Sequence, residues 1–408
     1  MQYLKIFILL NIFCVANIFA DKEDSVFYAR LNDLIHASEV MYNLSHEEEP
    51  KFLSSMNLNN FVLEYNIAKL NDISPIEMYF DEDVKKWITF YLKEKPNLTK
   101  KIIELSAFYF PLFEKELDRH GLPLELKYIP IIESSLNPNA RSRSGAVGLW
   151  QFLYDTGKLL NLHVTSYVDE RKDPYKATKA ACEYFAYLYA LFDDWLLAIA
   201  AYNGGPTTVK KAIIRAGGEK SFFAIRDFLS EETKNYVPKF VAANYVMNFY
   251  RDFGIVPDNN NILTYFSVDT IMTSKPVNFY IVSKYTSVPI NVLSFLNPAY
   301  SKLYKPSTEK PEKVVLPREA VENFIKNSNN IYAESVVTKT SKILSKKVKI
   351  VHTVKKGEYL HLLSIKYKVP VEKIRKWNNL QTDMLFTNQK LLIWVEETVL
   401  QSNNFGNK

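Results

Sequence analysis

From residue 21 to about residue 100 the apolar positions recur with a helical period and few breakers. In "LTKKIIELSAFYFPLFEKELDRHG" (Leu98 to Gly121) they fall at three- and four-residue spacing, and "DEDVKKWITFYLKEK" (Asp81 to Lys95) repeats the pattern. Gly121 and Pro123 interrupt it. Pro123 suits the first turn of a further helix, "LPLELKYIPIIESS", in which Leu126, Ile129, Pro130 and Glu133 fall at i, i+3, i+4 and i+7. That spacing puts one carboxyl on the apolar stripe. The next stretch, "NPNARSRSGAVGLWQF", predicts a helix end before Pro138, a loop, and a new helix near Gly148. Further on, "LLAIAAYNGGPTTV" predicts an apolar helix capped by Gly204 and Gly205, which expose Tyr202 and Asn203.

The texture changes after Asp258. "PDNNN" is rich in turn formers and leads into β-branched and aromatic residues. A repeat then appears: "KYTSVPINVLSFLN" (Lys284 to Asn297) aligns with "KYKVPVEKIRKWN" (Lys366 to Asn378) with one residue of slippage. Each copy has Lys-Tyr, a Val-Pro pair, a helical apolar pattern and a closing Asn. Between them "NSNNIYAESVVTKTSKILSKKVK" is polar and Lys-rich without apolar periodicity, which predicts a flexible linker. The expected organisation is a segment over 1–20, a helical segment over 21–104, a helical domain over 105–258, a first small module over 262–320, a linker over 321–347 and a second module over 348–396.

Composition narrows this picture. A chain of 408 residues suits two or three domains, and 47% hydrophobic with 24% charged residues suits globular cores. Residues 1–20 carry Lys5 and then an apolar run from Ile6 to Ala20, which reads as a secretory signal and not as a membrane span. Cys14 follows Asn11, Ile12 and Phe13, without the small residue that lipidation needs. With the signal removed, Cys182 stands alone in an apolar helix. It is expected to be a buried, inert thiol with no intramolecular disulfide. The net charge of +6 is mild, compatible with an anionic polymer and far from a nucleic-acid signature. The six histidines show no metal-ligand spacing, so neither a metal nor another cofactor is expected.

The chemistry concentrates where glycine does. Seven of the eleven glycines lie between Gly145 and Gly218, which suggests tight turns and close backbone approach around a site. A carboxyl on the apolar face is desolvated and its pKa raised, so Glu133 can stay protonated near neutral pH and act as a general acid. The plain alternative is a helix-end glutamate that turns back to water or pairs with a lysine. The amides of Gln151 and Asn203 and the ring of Tyr202 suit acetamido groups and sugar faces.

Taken together, "IIESSLNPNARSRSGAVGLWQF", "TGKLLNL", "DERKDPYKATKAA", "DDWLLAIAAYNGGP" and "EETKNYVPKFVAA" resemble the Slt-type lytic transglycosylases of peptidoglycan, over about residues 75–250. The segment Val351–Val395 resembles a LysM module, a βααβ unit that binds N-acetylglucosamine-containing glycan, and the earlier copy resembles a degenerate one. The resemblance implies a mainly α fold: a lysozyme-like helical domain after an N-terminal helical segment, with small α+β modules following. It further implies that Glu133 is the sole catalytic acid and base, and that Ser134 orients it or contacts substrate. Gln151, Tyr202 and Asn203 would line the glycan groove, and Tyr236 would sit close to the catalytic carboxylate. The implied reaction cleaves between N-acetylmuramic acid and N-acetylglucosamine without water.

The implied partners are peptidoglycan strands, with envelope or division proteins as further candidates. The implied place is the periplasm of a Gram-negative bacterium. Two departures stand out. "GEYLHLLS" (Gly357 to Ser364) replaces the usual GDTLWSIA of LysM modules and implies altered glycan affinity, while Asp155 replaces a small residue and is the one candidate for a second carboxylate. The rival functions are a hydrolytic muramidase resembling goose-type lysozyme and a catalytically inert cell-wall-binding protein.

Overall fold

The computed structural model describes residues 58–257, 267–340 and 347–396, apart from 356, 357, 359, 368, 370 and 381–384. The expected secretory segment over 1–20 lies outside the described residues. The chain divides into two compact units between Ser335 and Val336.

The described part of the first unit begins with α1 (Asn60–Asn71), α2 (Glu82–Thr89), a π-type turn (Phe90–Glu94) and the long α3 (Pro96–Arg119). Asp81 caps α2 by accepting from the Val84 amide. Arg226 then ties this segment to the body, donating to Asp81 at 2.7 Å and also to Asp83. The predicted helix after Pro123 is a 3-10 turn (Leu124–Tyr128) followed by the six-residue α4 (Ile129–Ser134). Pro130 has no N–H to return to Leu126, so the α pattern cannot run through it. Leu126, Ile129 and Pro130 are buried as the spacing requires.

Beyond α4 come α5 (Tyr154–Leu159), α6 (Pro174–Phe192), α7 (Trp195–Gly204), α8 (Pro206–Arg215), α9 (Phe222–Ile225) and α10 (Glu231–Phe249). No helix begins at Gly148. Residues 148–152 form a turn closed by a bridge between Val147 and Phe152. Gly148 has φ +91°, and a Cβ there would lie 2.0 Å from the Arg171 carbonyl oxygen, so the loop is pressed onto the 169–172 segment. Cys182 is fully buried on α6, where burial pushes its thiol up to about 12. Among the described residues no single helix is long and apolar enough to cross a membrane.

The first small module pairs β1 (Val268–Thr273) antiparallel with the later β4 (Glu312–Pro317), Val268 facing Pro317. Between them lie β2 (Val277–Asn278), α11 (Phe279–Thr286), α12 (Ile290–Leu296) and β3 (Tyr304–Lys305). Its core residues Val282, Leu293, Phe295 and Leu316 belong to the same apolar cluster as those of the helical body. The expected linker over 321–347 is helical for much of its length: α13 (Arg318–Lys326) and α14 (Ser328–Thr340) follow the module directly. Ile331 and Ser335, four residues apart, are buried, and the Ser335 hydroxyl accepts from the Asn278 amide at 2.9 Å. Two inward positions per helix are too few to show as periodicity in a Lys-rich stretch.

The second module, described by itself, pairs β5 (Lys347–Thr353) antiparallel with β6 (Lys390–Glu396) around α15 (Leu360–Tyr367) and α16 (Val371–Trp377). Val354, Leu363, Ile374, Leu391 and Ile393 form its own core.

Candidate active site

Glu133 is the penultimate residue of α4, which ends because Ser135 and Leu136 both take positive φ, +49° and +62°. Two successive left-handed residues turn the chain sharply and leave the glutamate at the helix tip. The Ser134 hydroxyl fixes that tip from behind. It is buried and donates to the carbonyls of Pro130 (2.9 Å) and Leu149 (3.0 Å), tying α4 to the 145–152 loop. Of the two roles the resemblance allowed Ser134, the geometry fits orientation and leaves it outside the cavity lining.

Glu133 opens onto a cavity of about 390 Å³, lined also by Gln151, Tyr202, Asn203 and Tyr236. The Tyr236 hydroxyl, from α10, donates to Glu133 Oε1 at 2.5 Å. Burial pushes the Glu133 carboxyl up to about 7; the Tyr236 hydrogen bond pulls against it, nearby Glu232 adds to it, and Lys239 opposes it. Burial likewise holds the Tyr236 phenol well above its usual range, so it remains a donor. A carboxyl with this pKa gives up a proton and takes one back near neutral pH.

The other lining groups are fixed by their own hydrogen bonds. Gln151 has φ +49°, and its amide nitrogen donates to the carbonyls of Gly148 (2.8 Å) and Ala140 (3.3 Å), so that end of the side chain braces the loop. Tyr202 stacks on Phe185 with 4.5 Å between centroids, while its hydroxyl donates to the Trp150 carbonyl at 2.7 Å. Asn203 accepts from the Thr233 hydroxyl at 2.8 Å and donates to Glu232 at 3.4 Å. Gly204 permits this contact, since a Cβ there would lie 2.8 Å from Thr233 Oγ1.

Asp155 is exposed on α5 and does not line the cavity. Glu232 does, as do Lys239 and the aromatic residues Trp87, Phe90 and Tyr91. Sequence reading passed over all five. For two of them the signal was present: Glu232, Tyr236 and Lys239 stand at i, i+4 and i+7 of one predicted helix, hence on one face. Glu133 therefore shares its cavity with a second carboxylate, Glu232.

Residues 110–223 match the transglycosylase SLT domain family, 267–333 the LysM-like domain of the lytic transglycosylase MltD, and 352–394 the LysM domain family. The MltD-type match runs beyond the expected end at 320 and takes in α13. The chain is 28% identical over 312 residues to membrane-bound lytic murein transglycosylase D of Escherichia coli K12, covering 74% of this chain and 67% of that protein. It is 36% identical over 132 residues to peptidoglycan transglycosylase gp16 of Escherichia phage T7, covering 32% of this chain and 10% of that protein. Among solved structures it is similar to the 70 kDa soluble lytic transglycosylase of Escherichia coli. That match has 22% identity and a TM-score of 0.32, and it covers 42% of this chain and 30% of that one. By its domain matches and its curated relatives, the chain is similar to the SLT-type lytic transglycosylases, with two LysM-type modules after the SLT domain.

Proposed function

We propose that the Glu133 cavity cleaves the β-1,4 bond between N-acetylmuramic acid and N-acetylglucosamine in peptidoglycan, without water, leaving a 1,6-anhydromuramic end. Glu133, protonated through burial, gives its proton to the glycosidic oxygen, and the N-acetylglucosamine leaves as its 4-hydroxyl. The 2-acetamido oxygen of the muramic sugar stabilises the developing cation at its anomeric carbon. Glu133, now ionised and still held by Tyr236, takes the proton from the muramic C6 hydroxyl as that oxygen attacks the anomeric carbon. One carboxyl thus serves both half-steps, and Tyr236 and Ser134 hold it in place. The observation that carries this reading is the Glu133 carboxyl pushed up to about 7 within hydrogen-bond reach of Tyr236. The enzyme would act in the cell envelope, in the periplasm of a Gram-negative bacterium, on strands that the second module also grips.

Glu232 supports a second reading. A carboxylate in the same cavity is what a hydrolase needs to activate water. Product mass separates the two: the transglycosylase releases muramic ends lighter by one water, whereas reducing ends throughout would establish hydrolysis, for which Glu232 is the candidate base. Glu133→Gln should lower turnover of purified sacculi by about 10³-fold on either reading. Turnover unchanged by Glu133→Gln would remove the site assignment altogether. Because the acid must start protonated, kcat/KM should fall as pH rises through about 7.

A further inference from the structure

The cavity walls differ in charge. Among the described lining residues Lys239 is the one cation, and it stands beside Trp87, Phe90 and Tyr91. Those three aromatics come from α2 and the π-type turn after it, upstream of residues 110–223 that match the SLT domain. The Lys239 ammonium lies 4.4 Å from the centroid of the Trp87 ring, which holds it by cation–π attraction. Trp87 itself is 6% exposed, packed edge-on against Phe90 at 5.4 Å, with Phe90 in turn against Tyr91 at 5.3 Å. The π-type turn sets Phe90 and Tyr91 onto that wall, the kind of local distortion that recurs at functional sites. On α10, Lys239 is three residues from Tyr236 and therefore on the face that carries the Glu133 contact. The anionic lining residue other than Glu133 is Glu232, bound to Asn203.

Resting on the function proposed above, we propose that the Lys239–Trp87 wall is the specificity element of the groove. It takes the acidic substituent of the muramic sugar and so sets the register of the strand. The two alternating sugars of peptidoglycan share their acetamido groups and differ in one ether. The muramic sugar carries a lactyl group, ending either in a free carboxylate or in a peptide stem with carboxylates of its own; N-acetylglucosamine carries neither. An ammonium seated on an apolar aromatic wall suits that pairing of charge with an alkyl or peptide body. A strand shifted by one sugar would leave the ammonium without its carboxylate and present an uncharged hydroxyl instead. Register is thereby chosen by a lost ion pair, which discriminates more sharply than a small difference in shape.

The test compares wild type with Lys239→Met and Lys239→Arg in the full chain on three soluble glycan strands. One keeps its peptide stems, one is stripped to free lactyl carboxylates, and one is stripped and then amidated so that the lactyl groups are neutral. All are assayed at pH 5, where Glu133 is protonated in every variant. The expected result is a drop of about tenfold in kcat/KM for Lys239→Met on the ionised strands, mostly in KM, with near-full activity for Lys239→Arg. The preference of wild type for ionised over amidated strands should collapse toward unity in Lys239→Met. A loss confined to stripped strands places the lactyl carboxylate on the wall, and a loss confined to stemmed strands places a stem carboxylate there. Equal losses on all three would overturn the proposal, as would a wild type that cleaves the amidated strands as well as both ionised ones. Neither outcome touches the product-mass test of the reaction itself.

Discussion

The two LysM-type modules share a skeleton and differ in what that skeleton is joined to. In each, the Asn that closes the repeat clamps the last helix to the last strand. Asn297 donates to the carbonyls of Leu293 (2.9 Å) and Val315 (2.8 Å) and accepts from the Val315 amide (2.8 Å). Asn378 donates to Ile374 and Leu392, both at 2.8 Å, and accepts from the Leu392 amide at 2.7 Å. In both copies one amide holds the end of its own helix with one hydrogen bond and the last strand with two. Beyond that clamp the copies part. The first shares its apolar core with the helical body, and its 299–301 segment pairs with 167–169 of that body. The second keeps a separate core, with His352 held between Tyr367 and Glu358, each at 2.7 Å. A single module fold can be absorbed into an enzyme or stand as its own unit, according to which of its faces finds an apolar partner.

Breaking the clamps should separate the copies most clearly. Asn297→Ala and Asn378→Ala each strand partly buried backbone groups and should cost about 2 kcal/mol. In a calorimetric scan Asn297→Ala should lower the transition of the helical body and reduce turnover with it. Asn378→Ala should lower only a separate, smaller transition and leave turnover of soluble glycan intact. Should Asn297→Ala leave the main transition where it is, the first copy would not be part of the catalytic body. A smaller contrast follows from removing residues 348–396. Sedimentation with insoluble peptidoglycan should weaken by about tenfold, on the scale of 1.4 kcal/mol, while cleavage of soluble strands is largely spared. Equal loss on both substrates would give the second module a structural role instead.

Much of this could be read from residue order, and the gaps have physical causes. The repeat pointed to both clamps because a side chain that makes three bonds leaves a fixed Asn at a fixed spacing. Glu133, Gln151, Tyr202, Asn203 and Tyr236 were named from short motifs, and the fold gathers all five around one cavity. Ser134 was named with them but turns its hydroxyl inward to Leu149, a direction that one-dimensional spacing cannot give. Trp87 was missed because it meets Lys239 across 152 positions of chain, and a cation–π contact leaves no local pattern; Lys239 itself shares a helical face with Tyr236. The α14 helix was read as linker because its buried face is narrow and its remaining positions are polar.

The smallest expected effect tests whether the joined copy does more than stabilise. The Ser301 amide donates to the Tyr167 carbonyl and the Asp169 amide to the Ala299 carbonyl, both at 2.9 Å. Asp169 in turn grips Arg171 through bonds of 2.9 and 2.8 Å, and the Arg171 guanidinium reaches the Phe152 carbonyl at 3.3 Å. The Arg171 backbone also closes against Gly148. Module, Asp169–Arg171 pair and cavity wall are therefore in series. Ser301→Pro removes one donor at the far end of that series, whereas Ser301→Ala keeps it. Ser301→Pro should raise KM about threefold with kcat and the pH profile unchanged, because Gln151 and Phe152 shift while Glu133 and Tyr236 do not. It should also speed hydrogen exchange at the Gly148 and Gln151 amides, and Ser301→Ala should match wild type in both. Faster exchange near residue 301 alone, with KM unmoved, would mean that the first copy supports the body without shaping the groove.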